Sequence, residues 1–450
     1  MKFTDLNAQG GIGANCSLCE MGPFKFVIDS GLHPKFAGSE SLPKHQEIER
    51  FSLDFIILTH CHLDHLGSLP LLSRQQPDAP VILSYASSIL ARRMLSNSIS
   101  VMKRQRTELN IPELPYYGRG DLTSLYDRFK TPPLHTPYRL EKNGEHIELT
   151  LHHAGHVAGA VSVSIKYKGK TTFFTGDILF NDQRTLDGAN LPKEPVDILV
   201  TETTRGSTEI PRNQSRESEI VRMLKTIHST LAKQGSVLIP VFALGRMQEM
   251  LAILDEAFRK KAIPKVPVFC SGLGMDLVNH FHEISKNTNR VRFNRKVLRA
   301  IGARPLPKKI EPGRRPPMEG IFLVSSGMMV ENTPSYVLAS GLLGESKNSI
   351  LFVGYCDPST PGGKLLEASR GETFDFDALD VLQKIEAKVS KFDLSGHANR
   401  DELIAYAKKI SPRAVILHHG DPEAREWFKQ NLENEPFSIY DPEPLKTYDI

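Results

Sequence analysis

Cysteine and tryptophan are scarce in this chain, with five Cys and one Trp among 450 residues. The thiols (Cys16, Cys19, Cys61, Cys270, Cys356) are odd in number and scattered, which excludes a disulfide framework and suits a reducing compartment. The pair in "CSLC" has zinc-knuckle spacing but no second pair to complete four ligands, so it reads as buried structural thiols. No apolar run approaches the ~20 residues that cross a bilayer. The opening "MKFTDLNAQGG" holds no apolar stretch of the secretory type. Internal repeats and low-complexity tracts are also missing. These absences set the expectation of a globular, cytoplasmic protein with no membrane partner, and the length favours two domains over one core.

What is present is unevenly distributed. The net charge is only +4, yet residues 290–315 carry ten Arg or Lys and a single acid, Glu311. Such a block is either a solvated, proline-rich loop or an electrostatic footprint for a polyanion. Up to about residue 200, short β-branched runs such as "DFIILT", "PVILSY", "ELTLHH" and "VDILVT" read as strands joined by loops. "VSVSIKYKGKTTFFTGD" reads as a hairpin turning at Lys168–Gly169–Lys170. From residue 207 the rhythm becomes helix alternating with strand, through "GSVLIPVFAL", "VPVFCSG", "GIFLVSSG" and "NSILFVGY", which predicts a parallel α/β sheet. A closing helix at 400–409 and strand at 413–421 suggest that this α/β segment is inserted into the first domain.

Histidine is dense at one place. "LTHCHLDHLG" puts His60, His62, Asp64 and His65 directly after a predicted strand. Imidazole nitrogen and carboxylate oxygen are zinc donors. Four donors so close together suit two ions sharing one loop better than one tetrahedral ion. His156 in "HHAGHVAGA", Asp177 in "FFTGD", His419 in "VILHHGD" and Asp29 in "KFVIDSG" also stand at predicted strand ends. Strand alternation turns His418 away from His419, sets His152 and His153 against His156, and points Cys61 away from its flanking histidines. His33 follows Asp29 closely and receives no role.

This set of residues, in this order, resembles the metallo-β-lactamase fold, with "THCHLDHLG" similar to its HxHxDH signature. The resemblance extends to the β-CASP nucleases: "TETTRGS" with Glu202, "FDLSGHANRDEL" with His397 and "VILHHGD" with His419 look like motifs A, B and C of that family. It departs from the family pattern where Arg205 replaces a usual tyrosine and where "GMM" lacks a second glycine. A KH domain ahead of the first motif and the nucleic-acid-binding domain of RNase J-type relatives are both expected to be absent.

The resemblance implies an α/β protein: a metallo-β-lactamase αββα sandwich (1–206 and 388–450) with an inserted parallel α/β β-CASP domain (207–387). It implies two Zn²⁺, one on His60, His62 and His156, the other on Asp64, His65 and His419, with Asp177 bridging and Asp29 orienting the ligand loop. A metal-bridging hydroxide would attack the phosphodiester, Asp64 would take its proton, His397 would protonate the leaving oxygen, and Glu202 would orient His397. Arg246, opening a helix after a strand, and Ser325, Ser326 and Gly327 in "VSSGMM" are expected phosphate contacts. Histidine at motif C goes with RNA-cleaving members, so the expected activity is hydrolysis of single-stranded RNA, endonucleolytic and with exonuclease activity as an addition. The family also allows a homodimer. The rival readings are a DNA exonuclease of the same fold, an inactive scaffold subunit of an RNA-processing complex, and a small-molecule hydrolase. The intact ligand set argues against the scaffold, and the inserted domain against the small-molecule enzyme.

Overall fold

The structure, a computed structural model, describes residues 1–211, 213–307 and 309–450, so Lys308 of the basic block lies outside the described residues. The chain forms two compact units. One comprises Met1–Asp182, Asp187–Ile210 and His397–Ile450, and the other Gln183–Leu186 and Pro211–Gly396.

Two seven-stranded sheets build the first unit. The first sheet runs Thr447–Asp449, Lys2–Asp5, Ser17–Met21, Phe24–Ile28, Phe55–Ile57, Val81–Ile82, Phe129–Lys130. The second runs Ser438–Tyr440, Ala414–His418, Ile198–Glu202, Lys170–Phe174, Val161–Tyr167, Glu145–His153, Tyr138–Lys142. Alternate residues of a strand face one side, and Phe24, Phe26 and Ile28 accordingly enter the same core as Val161, Val163 and Ile165 of the second sheet. Helices Leu69–Gln75, Tyr85–Glu108 and Arg119–Tyr126 follow the strands of the first sheet, and Pro422–Leu432 packs on Ala414–His418 of the second. This is the expected αββα sandwich. Its hairpin turns where anticipated, with Lys168 and Gly169 both at positive φ.

The second unit is built on an all-parallel six-stranded sheet ordered Ala303–Pro305, Val268–Cys270, Ile321–Val324, Val237–Pro240, Ser349–Phe352, Lys388–Lys391. Parallel sheets bury both faces, which is why "IFLV" and "VLIP" carry no polar alternation. The unit runs to Gly396 and includes Lys388–Lys391, which pairs with Ser349–Phe352. It also recruits Gln183–Leu186, since Glu249 accepts the backbone N–H groups of Arg184 and Thr185 at 2.9 and 3.0 Å. Such long-range capture leaves no mark in local sequence pattern. Among the described residues no helix is long and apolar enough to cross a membrane.

Candidate metal centre

Parallel strands end on the same edge of a sheet, and the first unit uses this to gather its polar residues. Phe24–Ile28 and Phe55–Ile57 are parallel, as are Lys170–Phe174, Ile198–Glu202 and Ala414–His418. Asp29, His60–His65, Asp177, Glu202 and His419 all lie at or just past the carboxyl ends of these strands. Tight turns make the convergence sterically feasible. Asp29 and His419 sit at φ 62° and 47°, and Gly176 at φ 54° packs where a Cβ would meet the Val161 carbonyl at 3.1 Å. Gly31 is required by close approach, because a Cβ there would overlap the Asp64 carbonyl.

Three ring nitrogens face one another: His62 Nδ1 lies 3.1 Å from His60 Nε2 and 3.0 Å from His156 Nε2. The Asp177 Oδ2 atom is 3.6 Å from both His60 Nε2 and His156 Nε2. That same oxygen is 3.4 Å from His65 Nε2, which begins a second group. There Asp64 Oδ2 stands 3.6 Å from His65 Nε2 and 3.5 Å from His419 Nε2. The structure thus forms the donor clusters His60–His62–His156–Asp177 and Asp64–His65–His419, with Asp177 reaching toward both and forming a third group with Glu202 and His397.

The hydrogen-bond pattern fixes which nitrogens face inward. Asp29 accepts from the Thr59 N–H and hydroxyl at 2.7 Å each and from His65 Nδ1 at 2.8 Å. The Thr59 hydroxyl, having given its proton to Asp29, accepts from His60 Nδ1 at 3.1 Å. His60 and His65 therefore turn Nε2 to the centre, the nitrogen through which the neutral imidazole would bind metal. Burial, then the charge of His65, holds His60 well below its ordinary pKa. Burial acts against protonation of His65 too, but Asp177, Asp64 and Asp29 outweigh it and raise that pKa. Burial alone would raise Asp177, yet His419 and His65 hold its carboxyl well below the usual range.

These donors fit a divalent cation. Ligands ~2.0–2.1 Å from a tetrahedral ion lie roughly 3.3 Å from each other, close to the separations seen. Lone pairs facing at about 3 Å repel unless a proton or cation sits between them, and Asp177 Oδ1 is buried with no hydrogen bond although His419 Nδ1 lies 3.2 Å away.

Beside the clusters, His397 Nδ1 donates to Glu202 Oε2 at 2.8 Å and lies 4.0 Å from Asp177 Oδ2. Glu202 is buried, and its other oxygen accepts from the Ile178 N–H at 2.6 Å. Ile178 in turn accepts from the Ala398 N–H, and a capping box between Asn399 and Glu402 starts the next helix. The His397 turn is therefore pinned on both sides. Burial opposes its protonation, but Glu202 and then Asp177 raise its pKa above the ordinary value.

Not every expected residue joins the centre. Arg246 is buried in the second unit, where its guanidinium donates to the Leu394 carbonyl at 2.6 Å and to Gln183. Both of its terminal nitrogens are thus engaged within that unit. The Ser325 N–H is taken by Ser271 Oγ at 3.0 Å, Ser326 Oγ accepts from the Val330 N–H at 3.0 Å, and Gly327 lies against Phe242. Of the three backbone N–H groups in this turn, that of Ser325 is thus engaged within the second unit.

The other histidines turn away as strand alternation requires: His152 meets Ser164 at 2.9 Å and His418 meets Ser17 at 3.2 Å. Cys61 points to the Ser87 carbonyl. Three positions escaped sequence reading. Asn15 donates to the Asp64 carbonyl at 3.0 Å with its amide 3.1 Å from His65 Nε2, Thr204 Oγ1 lies 3.0 Å from His419 Nδ1, and Thr59 links Asp29 to His60. Only Thr59, next to the signature, had any positional signal.

Comparison with known proteins gives three family matches in chain order. The metallo-beta-lactamase superfamily matches residues 10–225, the Beta-Casp domain 247–365, and the Zn-dependent metallo-hydrolase RNA specificity domain 383–442. Endoribonuclease YSH1 of Eremothecium gossypii is 28% identical over 436 residues, 93% of this chain and 55% of that protein. Integrator complex subunit 11 of Gallus gallus is 27% identical over 449 residues, 97% of this chain and 71% of that protein. The chain thus spans only about half the length of the endoribonuclease it matches. A protein of unknown function from Enterococcus faecalis, at 11% identity and TM-score 0.53 over 100% of this chain and 99% of that one, has the same fold. With these matches in order over a His/Asp centre that suits a divalent metal, the chain carries metallo-beta-lactamase, Beta-Casp and metallo-hydrolase RNA specificity domains.

Proposed function

We propose that this chain is a zinc-dependent endoribonuclease that hydrolyses phosphodiester bonds of single-stranded RNA, acting in the cytoplasm. The observation that carries the reading is the pair of donor clusters meeting at Asp177, with a glutamate-held histidine beside them. On this reading His60, His62 and His156 hold one zinc, Asp64, His65 and His419 a second, and Asp177 serves both. The discontinuous first unit is the hydrolase domain and the second the β-CASP domain. Two bound zinc ions would supply Lewis acidity toward the phosphoryl oxygens and lower the pKa of water toward neutrality.

The chain's own residues handle the protons. Asp64 and His397 have access to solvent, at 21% and 15% exposure, while His60, His65, His156, Asp177 and His419 lie at 4% or less. Burial would raise the Asp64 carboxyl, but His65 and His419 hold it well below its ordinary range, so it is ionised and accepts a proton from the attacking water. His397, its Nδ1 proton fixed on Glu202, gives a proton from Nε2 to the departing oxygen. The name of the fungal relative, an endoribonuclease, supports RNA as substrate.

The test is one end-labelled oligonucleotide prepared as RNA and as DNA, with metal content measured on the same sample. Two zinc ions per chain and internal cuts in RNA alone are expected. Cleavage of DNA, or removal of terminal nucleotides only, overturns the reading.

A further inference from the structure

The basic block at 290–315 separates into two classes when its side chains are followed. Arg292 donates to the carbonyls of Gln183 and Leu186 at 2.9 Å each, Arg314 pairs with Glu311 at 3.1 Å, and Arg315 pairs with Glu319. Arg290 is engaged as well. The remaining described cations, Arg295, Lys296, Arg299, Arg304 and Lys309, are all exposed, and their side chains have no hydrogen bond or ion pair among the described residues.

Local structure holds Arg295, Lys296, Arg299 and Arg304 outward. In the short helix Lys296–Ala300, Val297 and the following Ile301 are buried four residues apart and define its inner face. Arg295, Lys296 and Arg299 occupy the outer face, where residues three and four apart are neighbours at roughly 5–6 Å between Cβ atoms. Arg304 belongs to the edge strand Ala303–Pro305, which among the described residues pairs only with Val268–Cys270. No acid occurs from 290 to 310. Like charges gathered this way repel one another, and the packing of the second unit makes no use of them.

We propose that this face binds the phosphate backbone of single-stranded RNA. The inference rests on the RNA reading above and adds to it a surface formed by Arg295, Lys296, Arg299, Arg304 and Lys309 of the second unit. The block's one aromatic residue, Phe293, is buried, so there is no stacking platform and the contact is made through phosphates without regard to base.

The experiment uses the full chain carrying His397→Ala, so that the strand stays intact, and measures anisotropy of labelled single-stranded RNA against salt. Each phosphate contact on a single strand adds ~0.7 to the slope of log affinity on log salt. Replacing all five cations by Ala should make the slope shallower by roughly 2 to 3.5 and lower affinity at low salt by ~100-fold. Poly(U) and poly(A) should respond alike. Arg295→Lys with Arg299→Lys and Arg304→Lys keeps the charge and should keep the slope. An unchanged slope in the alanine variant, or an equal loss in the lysine variant, overturns the proposal. If the otherwise unmodified chain cleaves RNA and the slope is unchanged, this surface fails alone. If the slope falls as expected but that chain cleaves nothing, the nuclease reading fails alone.

Discussion

Replacing Glu202 by Gln is the most informative single change, because the side chain keeps its shape while its two oxygens lose their equivalence. In the native site one oxygen accepts from the Ile178 N–H at 2.6 Å and the other from His397 Nδ1 at 2.8 Å. The amide introduced by Glu202→Gln would have one acceptor for two donors. If its oxygen stays on Ile178, its NH₂ faces Nδ1, which must then accept; the ring proton moves to Nε2 and the charge that holds a second proton is gone. If the oxygen turns to His397, two N–H donors meet in a buried place at a cost of ~1–3 kcal/mol.

A hydrogen bond to a charged partner contributes about 1.5–3 kcal/mol, so losing it should slow cleavage roughly 10- to 100-fold. That is less than the ~10²–10⁴ expected for His397→Ala, which removes the acid itself. Zinc content and KM should hold steady. Glu202 raises the pKa of His397, so without it the acid form is lost at lower pH and the alkaline limb of the rate profile should move to lower pH. A phosphodiester with an aryl leaving group needs no proton and should be insensitive to the change. Loss of zinc from Glu202→Gln would refute the reasoning, since the carboxylate would then be holding metal or its ligands. An unmoved alkaline limb at full rate would refute it as well.

Asp29→Asn leaves one carbonyl for the three donors now shared between two carboxylate oxygens; zinc affinity should drop ~10- to 100-fold in a chelator competition. Gly31→Ala drives a methyl into the Asp64 carbonyl and should both lower the thermal midpoint and reduce metal occupancy, whereas Gly120→Ala, in open space, should do neither. His45 is buried on Ser30 with its pKa lowered to about 4 by burial. The folded form stays neutral while the unfolded form protonates, so its stabilisation is present above pH ~6.5 and is lost as pH falls toward 4. Denaturant titrations should therefore show His45→Gln losing about 1–2 kcal/mol less than the parent between pH 7 and pH 5; equal losses would contradict this.

Much of the centre was legible in the chain because its donors sit at strand ends, where a β-branched run stopping at His or Asp is a local signal. "DFIILTHCHLDH", "FFTGD" and "VILHHGD" each announce a strand and the group it delivers. Alternation correctly turned His152 and His418 aside, since it depends only on the two-residue period of a strand. Arg246 marks the limit of local pattern: a helix start after a strand looks like a phosphate site, and only the distant Leu394 and Gln183 reveal where its two terminal nitrogens are engaged.

By itself, then, the sequence determined the strand-and-helix periodicity, the two-part organisation and which His and Asp residues stand at strand ends, all carried by residues near one another in the chain. Tertiary structure alone decided the rest. It shared Asp29 between Thr59 and His65, brought Asn15 under the ligand loop, set Glu202 on His397 across 195 positions, and sorted the basic residues of one block into those spent on packing and those left to solvent. Each of these depends on which backbone and side-chain atoms meet after the sheets assemble. That is a property of strand order and register, and no local pattern of residues encodes it.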